Sequence, residues 1–144
     1  MIDFQGIRET CMRVYRCDVV LTRYNPKDQS LVLSQIKSLE PKKGNATRCM
    51  IYLIDALERR GIQTIDIMAM PIPGTKGPGA KRLMEWYSRF GFVVRDHTMV
   101  KGHLFSAEMQ LNLNQLPSKL VVCKGEQYRV FSRSPTTKEK CYVR

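Results

Sequence analysis

The sequence predicts an α/β protein in which two main helices pack on the faces of one mixed β-sheet. Three observations carry this. A hairpin-like stretch, residues 19–39, is rich in β-branched and apolar residues around a polar turn. After it the pattern runs helix, strand, helix, strand, strand. A strand–helix–strand unit demands parallel strands with a right-handed crossover, whereas a hairpin is antiparallel, so the sheet must be mixed. At 144 residues, 43% hydrophobic and 26% charged, the chain suits one folded core and not a disordered segment.

Ile7, Cys11 and Val14 stand at i, i+4 and i+7 and permit a short first helix. Residues 19–24 and 30–39 form the hairpin strands around Asn25-Pro26-Lys27-Asp28, which is turn chemistry. The clearest helix covers 47–60. Met50, Leu53, Ile54 and Leu57 share one face, Arg59 and Arg60 suit the negative end of the dipole, and Gly61 stops it. "IQTIDIMAM" (62–70) reads as a buried strand, and "PIPGTKGPG" (71–79) as a loop. A second main helix, 80–90, packs Leu83, Trp86, Tyr87 and Phe90 and ends at Gly91, and "FVV" and "AEMQLNL" follow as strands.

No apolar run is long enough to span a membrane, and MIDFQGIRET lacks the features of a secretion signal. Five scattered cysteines without a CxxC pair read as free thiols in a reducing compartment, the cytoplasm. His97 and His103 have no spacing that suggests a metal site with them, so no metal is expected. Cys49 has no histidine near it in sequence and sits on an apolar helix, which argues against a nucleophile.

The net charge of +11 asks for an anionic partner. Part of it lies in "EPKKGNATRCM" (40–50), where two lysines and a glycine precede a helix. The first turn of a helix has N–H groups without intrahelical partners and a positive dipole end. Gly44 and Ala46 leave the backbone approachable, Thr47 adds a hydroxyl, and Lys42 and Lys43 add charge. Such a turn can cradle a pyrophosphate. The bland alternative is a solvated loop with a helix-start glycine. The stretch is neither a P-loop nor a dinucleotide fingerprint.

A second stretch, "EWYSRFGF", follows about forty residues later. Together "PKKGNAT" and "WYSRFGF" resemble the GNAT superfamily of acyl-CoA-dependent N-acetyltransferases over residues 19–113. Gly44 and Ala46 match the small positions of the family's pyrophosphate loop, and Tyr87, Gly91 and Phe92 match its Tyr-x-x-x-Gly-Phe motif. Pro41 stands where the family has Gln or Arg, and only about eighteen residues precede the hairpin, where the family has two helices.

The resemblance implies a splayed sheet with acetyl-CoA as co-substrate. An amine of a protein or small molecule attacks the thioester directly. Tyr87 would be the acid for the leaving thiolate, or else only a core tyrosine. Glu40 would be the base, or else a surface carboxylate answering Lys42 and Lys43. Leu39 would bond the pantetheine through its backbone, residues 68–70 would flank the acyl group, and Lys42, Lys43, Gly44, Asn45, Ala46 and Thr47 would hold the pyrophosphate. A catalytically inactive module of the same fold, docking on nucleic acid or a protein assembly, is the alternative.

The domain is expected to cover 1–116. Residues 117–144 form a basic extension with seven Lys or Arg against two acids. Strands are expected at 120–123, 128–132 and 141–143, as a hairpin. Its arginines and lysines, interleaved with Tyr128, Phe131 and Tyr142, suit nucleic acid, an acidic protein partner or a homodimer interface, and equally a solvated sheet edge.

Overall fold

A computed structural model of the protein describes residues 2–40, 44–71 and 79–113. Lys42, Lys43, most of the 71–79 loop and the basic extension with its expected hairpin lie outside the described residues.

Helix α1 (Phe4–Tyr15) opens with Asp3, whose carboxylate accepts a hydrogen bond from the Gly6 N–H at 2.8 Å. It buries Ile7 and Cys11, while Val14, expected on the same face, is half exposed. Strands β1 (Cys17–Asn25) and β2 (Ser30–Ser38) pair antiparallel. Their turn is locked by Asn25, whose Oδ1 accepts from the backbone of Lys27 at 2.8 Å and of Asp28 at 3.2 Å.

Helix α2 (Asn45–Arg59) starts two residues before its expected first residue, because Gly44 serves as N-cap with φ +76°. Strand β3 (Thr64–Ala69) pairs parallel with β2, and helix α3 (Ala80–Ser88) follows. Strands β4 (Val93–Val100) and β5 (His103–Asn112) form a long hairpin. Lys101 and Gly102, both at positive φ, make its two-residue turn. The sequence pattern had shown only short fragments of these two strands, "FVV" and "AEMQLNL".

The sheet order is β1-β2-β3-β5-β4. Strand β3 lies parallel to both β2 and β4, since β5 runs antiparallel to β3 and β4. The two crossovers step the same way across the sheet, and right-handed connections then place α2 and α3 on one face. Burial agrees. Leu31 and Leu33, Ile65, Ile67 and Ala69, and Ala107, Met109 and Leu111 lie opposite one another in register and are all buried. Ile7 and Cys11 of α1, Met50, Leu53 and Leu57 of α2, and Tyr87 and Phe90 join the same core. The other face carries Thr64, Asp66, Glu108 and Gln110, with Gln110 donating to Asp66 at 2.9 Å. The helices thus share a face.

Two substitutions test this division. Leu57, fully buried, should cost about 2–5 kcal/mol in urea unfolding when changed to Ala, by lost burial and the cavity left. Val93, 56% exposed on β4, should tolerate Thr within roughly 0.5 kcal/mol.

Candidate active site

Strands β2 and β3 pair only over Ser30–Leu33 and Thr64–Ile67. Beyond that point β2 keeps its partner β1 as far as Ser38, and β3 keeps β5 as far as Ala69. The two strands therefore part, and a gap opens between 34–38 and 68–70. Its walls are backbone edges whose hydrogen-bonding capacity can serve an extended ligand. Met68 and Met70 sit at its β3 side, both exposed.

The Leu39 N–H donates to the Arg16 carbonyl at 2.9 Å, so Leu39 addresses β1 and not the gap. Strand alternation turns the backbone of its neighbour Ser38, the partner of Cys17, toward the gap. Glu40 stands at the lip, its N–H donating to the Ser38 hydroxyl at 3.2 Å. Its carboxylate is half exposed and lies 3.6 Å from Arg16, so it answers that arginine from within the described residues.

The Gly44 turn closes this end. Its left-handed backbone is one that a side chain strains. Among the described residues, neither a side-chain cap at this N-cap nor an acid in the first turn competes for the N–H groups of Asn45, Ala46 and Thr47. The side chain of Asn45 is buried and its Oδ1 accepts from the Arg48 guanidinium. Arg48 thus brings a cation to the turn that sequence reasoning missed. The i, i+3 spacing from Asn45 was its available signal. The Thr47 hydroxyl oxygen accepts from the Trp86 indole at 3.2 Å, tying α2 to α3 while leaving its own proton to donate.

Trp86 also packs on Tyr87, with ring centroids 5.1 Å apart, and Phe92 meets Tyr87 edge-on at 5.8 Å. Tyr87 is 7% exposed, and burial pushes its hydroxyl up to about 12. It is therefore a neutral donor throughout the physiological range. Being so weak an acid, it suits hydrogen-bonding a developing thiolate better than surrendering its proton completely.

Neither a family model nor a curated protein matches the chain. Solved structures do. One from Lactobacillus plantarum, assigned to the N-acetyltransferases, superposes with a TM-score of 0.50 at 12% identity, covering 67% of this chain and 60% of that one. The spermidine/spermine N-acetyltransferase of Vibrio cholerae does so at 0.50 and 20% identity, over 67% of this chain and 56% of that one. A GNAT family acetyltransferase of Elizabethkingia anophelis with acetyl-CoA bound is similar at 0.49 and 12%, over 67% of each chain. The fold is that of the GNAT N-acetyltransferases, and the chain spans 60% and 56% of the length of the first two neighbours.

The buried phenol sets a stability signature. Its folded value of about 12 lies above the ordinary 10, so the unfolded chain ionises first and stability falls as pH rises between them. The loss amounts to roughly 3 kcal/mol for two units. Tyr87→Phe should lack that decline, as urea titrations from about pH 9 to about pH 12 on both proteins will read.

Proposed function

We propose that the chain transfers an acetyl group from acetyl-CoA to an amine. The observation that carries this reading is the parted pair β2 and β3, ending beside the start of α2, whose N-cap Gly44 has no side chain to occupy the first-turn N–H groups. A linear thioester with a pyrophosphate at one end suits both features. The pyrophosphate meets the N–H groups of Asn45, Ala46 and Thr47, with the Thr47 hydroxyl and the Lys42 and Lys43 charges adding to them. The pantetheine continues the β2 ladder along the gap, at Ser38.

The amine attacks the thioester carbonyl, and its proton passes to Glu40. The Tyr87 hydroxyl hydrogen-bonds the sulfur as negative charge gathers on it. The carbon–sulfur bond breaks, and coenzyme A leaves as the thiolate held by that hydrogen bond and is protonated from solvent. Glu40 returns its proton to solvent, and the acetyl group remains as an amide. Because thiolate is a good leaving group, holding the reactants together supplies much of the rate. An inactive module of the same fold is the second reading. It is favoured by the half-exposed Glu40 carboxylate lying against Arg16, which leaves the proposed base already engaged.

Titration calorimetry with acetyl-CoA tests the cradle. Gly44→Glu should abolish saturable binding, and Gly44→Asn, which tolerates the left-handed backbone, should weaken it less. Absence of binding to the unaltered chain sinks the reading. With binding established, Tyr87→Phe should lower kcat by about 10²-fold with little change in acetyl-CoA affinity, read as thiol release with a panel of amines. Binding without turnover on any amine selects the inactive module.

A further inference from the structure

The chain has one tryptophan, Trp86, and it touches both ends of the candidate site. Its indole N–H donates to the Thr47 hydroxyl oxygen, in the first turn of α2, at 3.2 Å. Its ring lies against that of Tyr87, with centroids 5.1 Å apart and planes inclined at 56°. Phe90 meets the indole nearly edge-on, at 5.1 Å and 85°, so the group is gripped from a second side. Trp86 is only partly buried, yet its one polar atom goes to a helix 39 residues away in sequence.

A threonine hydroxyl has one proton and two lone pairs. With the indole N–H on a lone pair, the hydroxyl proton must point elsewhere. The group becomes a directed donor instead of a free rotor. Donation from the indole also polarises the O–H bond and strengthens the bond that it goes on to make. At the start of α2 such a donor stands beside the N–H groups of Asn45, Ala46 and Thr47. The contact with Tyr87 matters for a different reason. In acetyl-CoA a covalent arm of limited reach joins the pyrophosphate to the thioester. The groups that meet its two ends must therefore keep a set separation, and a gripped indole touching both Thr47 and Tyr87 holds them to it.

We propose that Trp86 is a positioning residue of the coenzyme site. Its N–H aims the Thr47 hydroxyl at the pyrophosphate, and its ring keeps the Tyr87 phenol in step with that end. This role rests on the acetyl-CoA reading above.

The test compares the full chain with Trp86→Phe, Thr47→Val and the two changes together. Phenylalanine keeps a ring against Tyr87 and removes the N–H, and valine keeps the shape of threonine without its hydroxyl. In titration calorimetry, acetyl-CoA affinity should fall about three- to tenfold in Trp86→Phe. Added to Thr47→Val, the same change should cost little more, because both remove one link. Thr47→Ser, which keeps the hydroxyl, should recover most of what Thr47→Val loses. Trp86→Phe should weaken affinity more than kcat, whereas Trp86→Leu, which also takes the ring from Tyr87, should lower kcat as well, read as thiol release. The single tryptophan gives one indole N–H resonance. It should move downfield as acetyl-CoA is added to the unaltered chain and stay in place in Thr47→Val. A tie that only holds the fold together would lower the urea midpoint in Trp86→Phe and leave affinity and the resonance shift alone. That result, or losses that add in the double variant, overturns the proposal while the coenzyme reading stands. If the unaltered chain binds no acetyl-CoA, the coenzyme reading fails and this role falls with it. The affinity and resonance measurements need no turnover, so they decide the role for an inactive module as well.

Discussion

The arrangement depends on where one parallel ladder stops. Strands β2 and β3 share pairing from Ser30–Leu33 to Thr64–Ile67 and then follow different neighbours. The split is stable because each strand has a second partner that keeps its other edge satisfied, so the parting leaves only one edge of each strand open. Everything at the candidate site is placed by it. Ser38 and Glu40 stand on one wall, Met68 and Met70 on the other, and α2 begins where β2 has been turned aside.

What holds the two walls in fixed relation is the helix layer. Trp86 donates to Thr47 in the first turn of α2 and packs against Tyr87 in α3. The start of α2 and the phenol are therefore linked by one indole. On the β1 side, Arg16 plays a comparable part: its carbonyl receives Leu39 and its guanidinium lies against Glu40. Its own backbone takes φ +53° to close α1, so a strained residue sets the lip of the gap.

Sequence pattern exposed what burial dictates. The α2 face of Met50, Leu53 and Leu57, the strand of Ile65 and Ile67, and the aromatic helix bearing Tyr87 all follow from periodic apolar residues. Gly44 was legible because so few residues accept its backbone. The β4–β5 hairpin was not, since every residue of β4 is exposed and the strand exists through backbone pairing, with no burial to give it a pattern. Nor could the direction of Leu39's N–H or the clasp of Arg48 on Asn45 be read, because both depend on tertiary register. Val14 failed as a core residue because α1 presents a narrow face.

Because both crossovers step the same way, the described residues form two layers, with the polar sheet face turned away from the helices. Among the described residues, no second nucleus of apolar packing stands behind the strands to hold them if the helices lift away. Melting any one helix uncovers the common interior, and the gap loses its shape at the same moment. The described region should therefore denature as a single cooperative unit, with the gap between β2 and β3 and the fold lost in one transition.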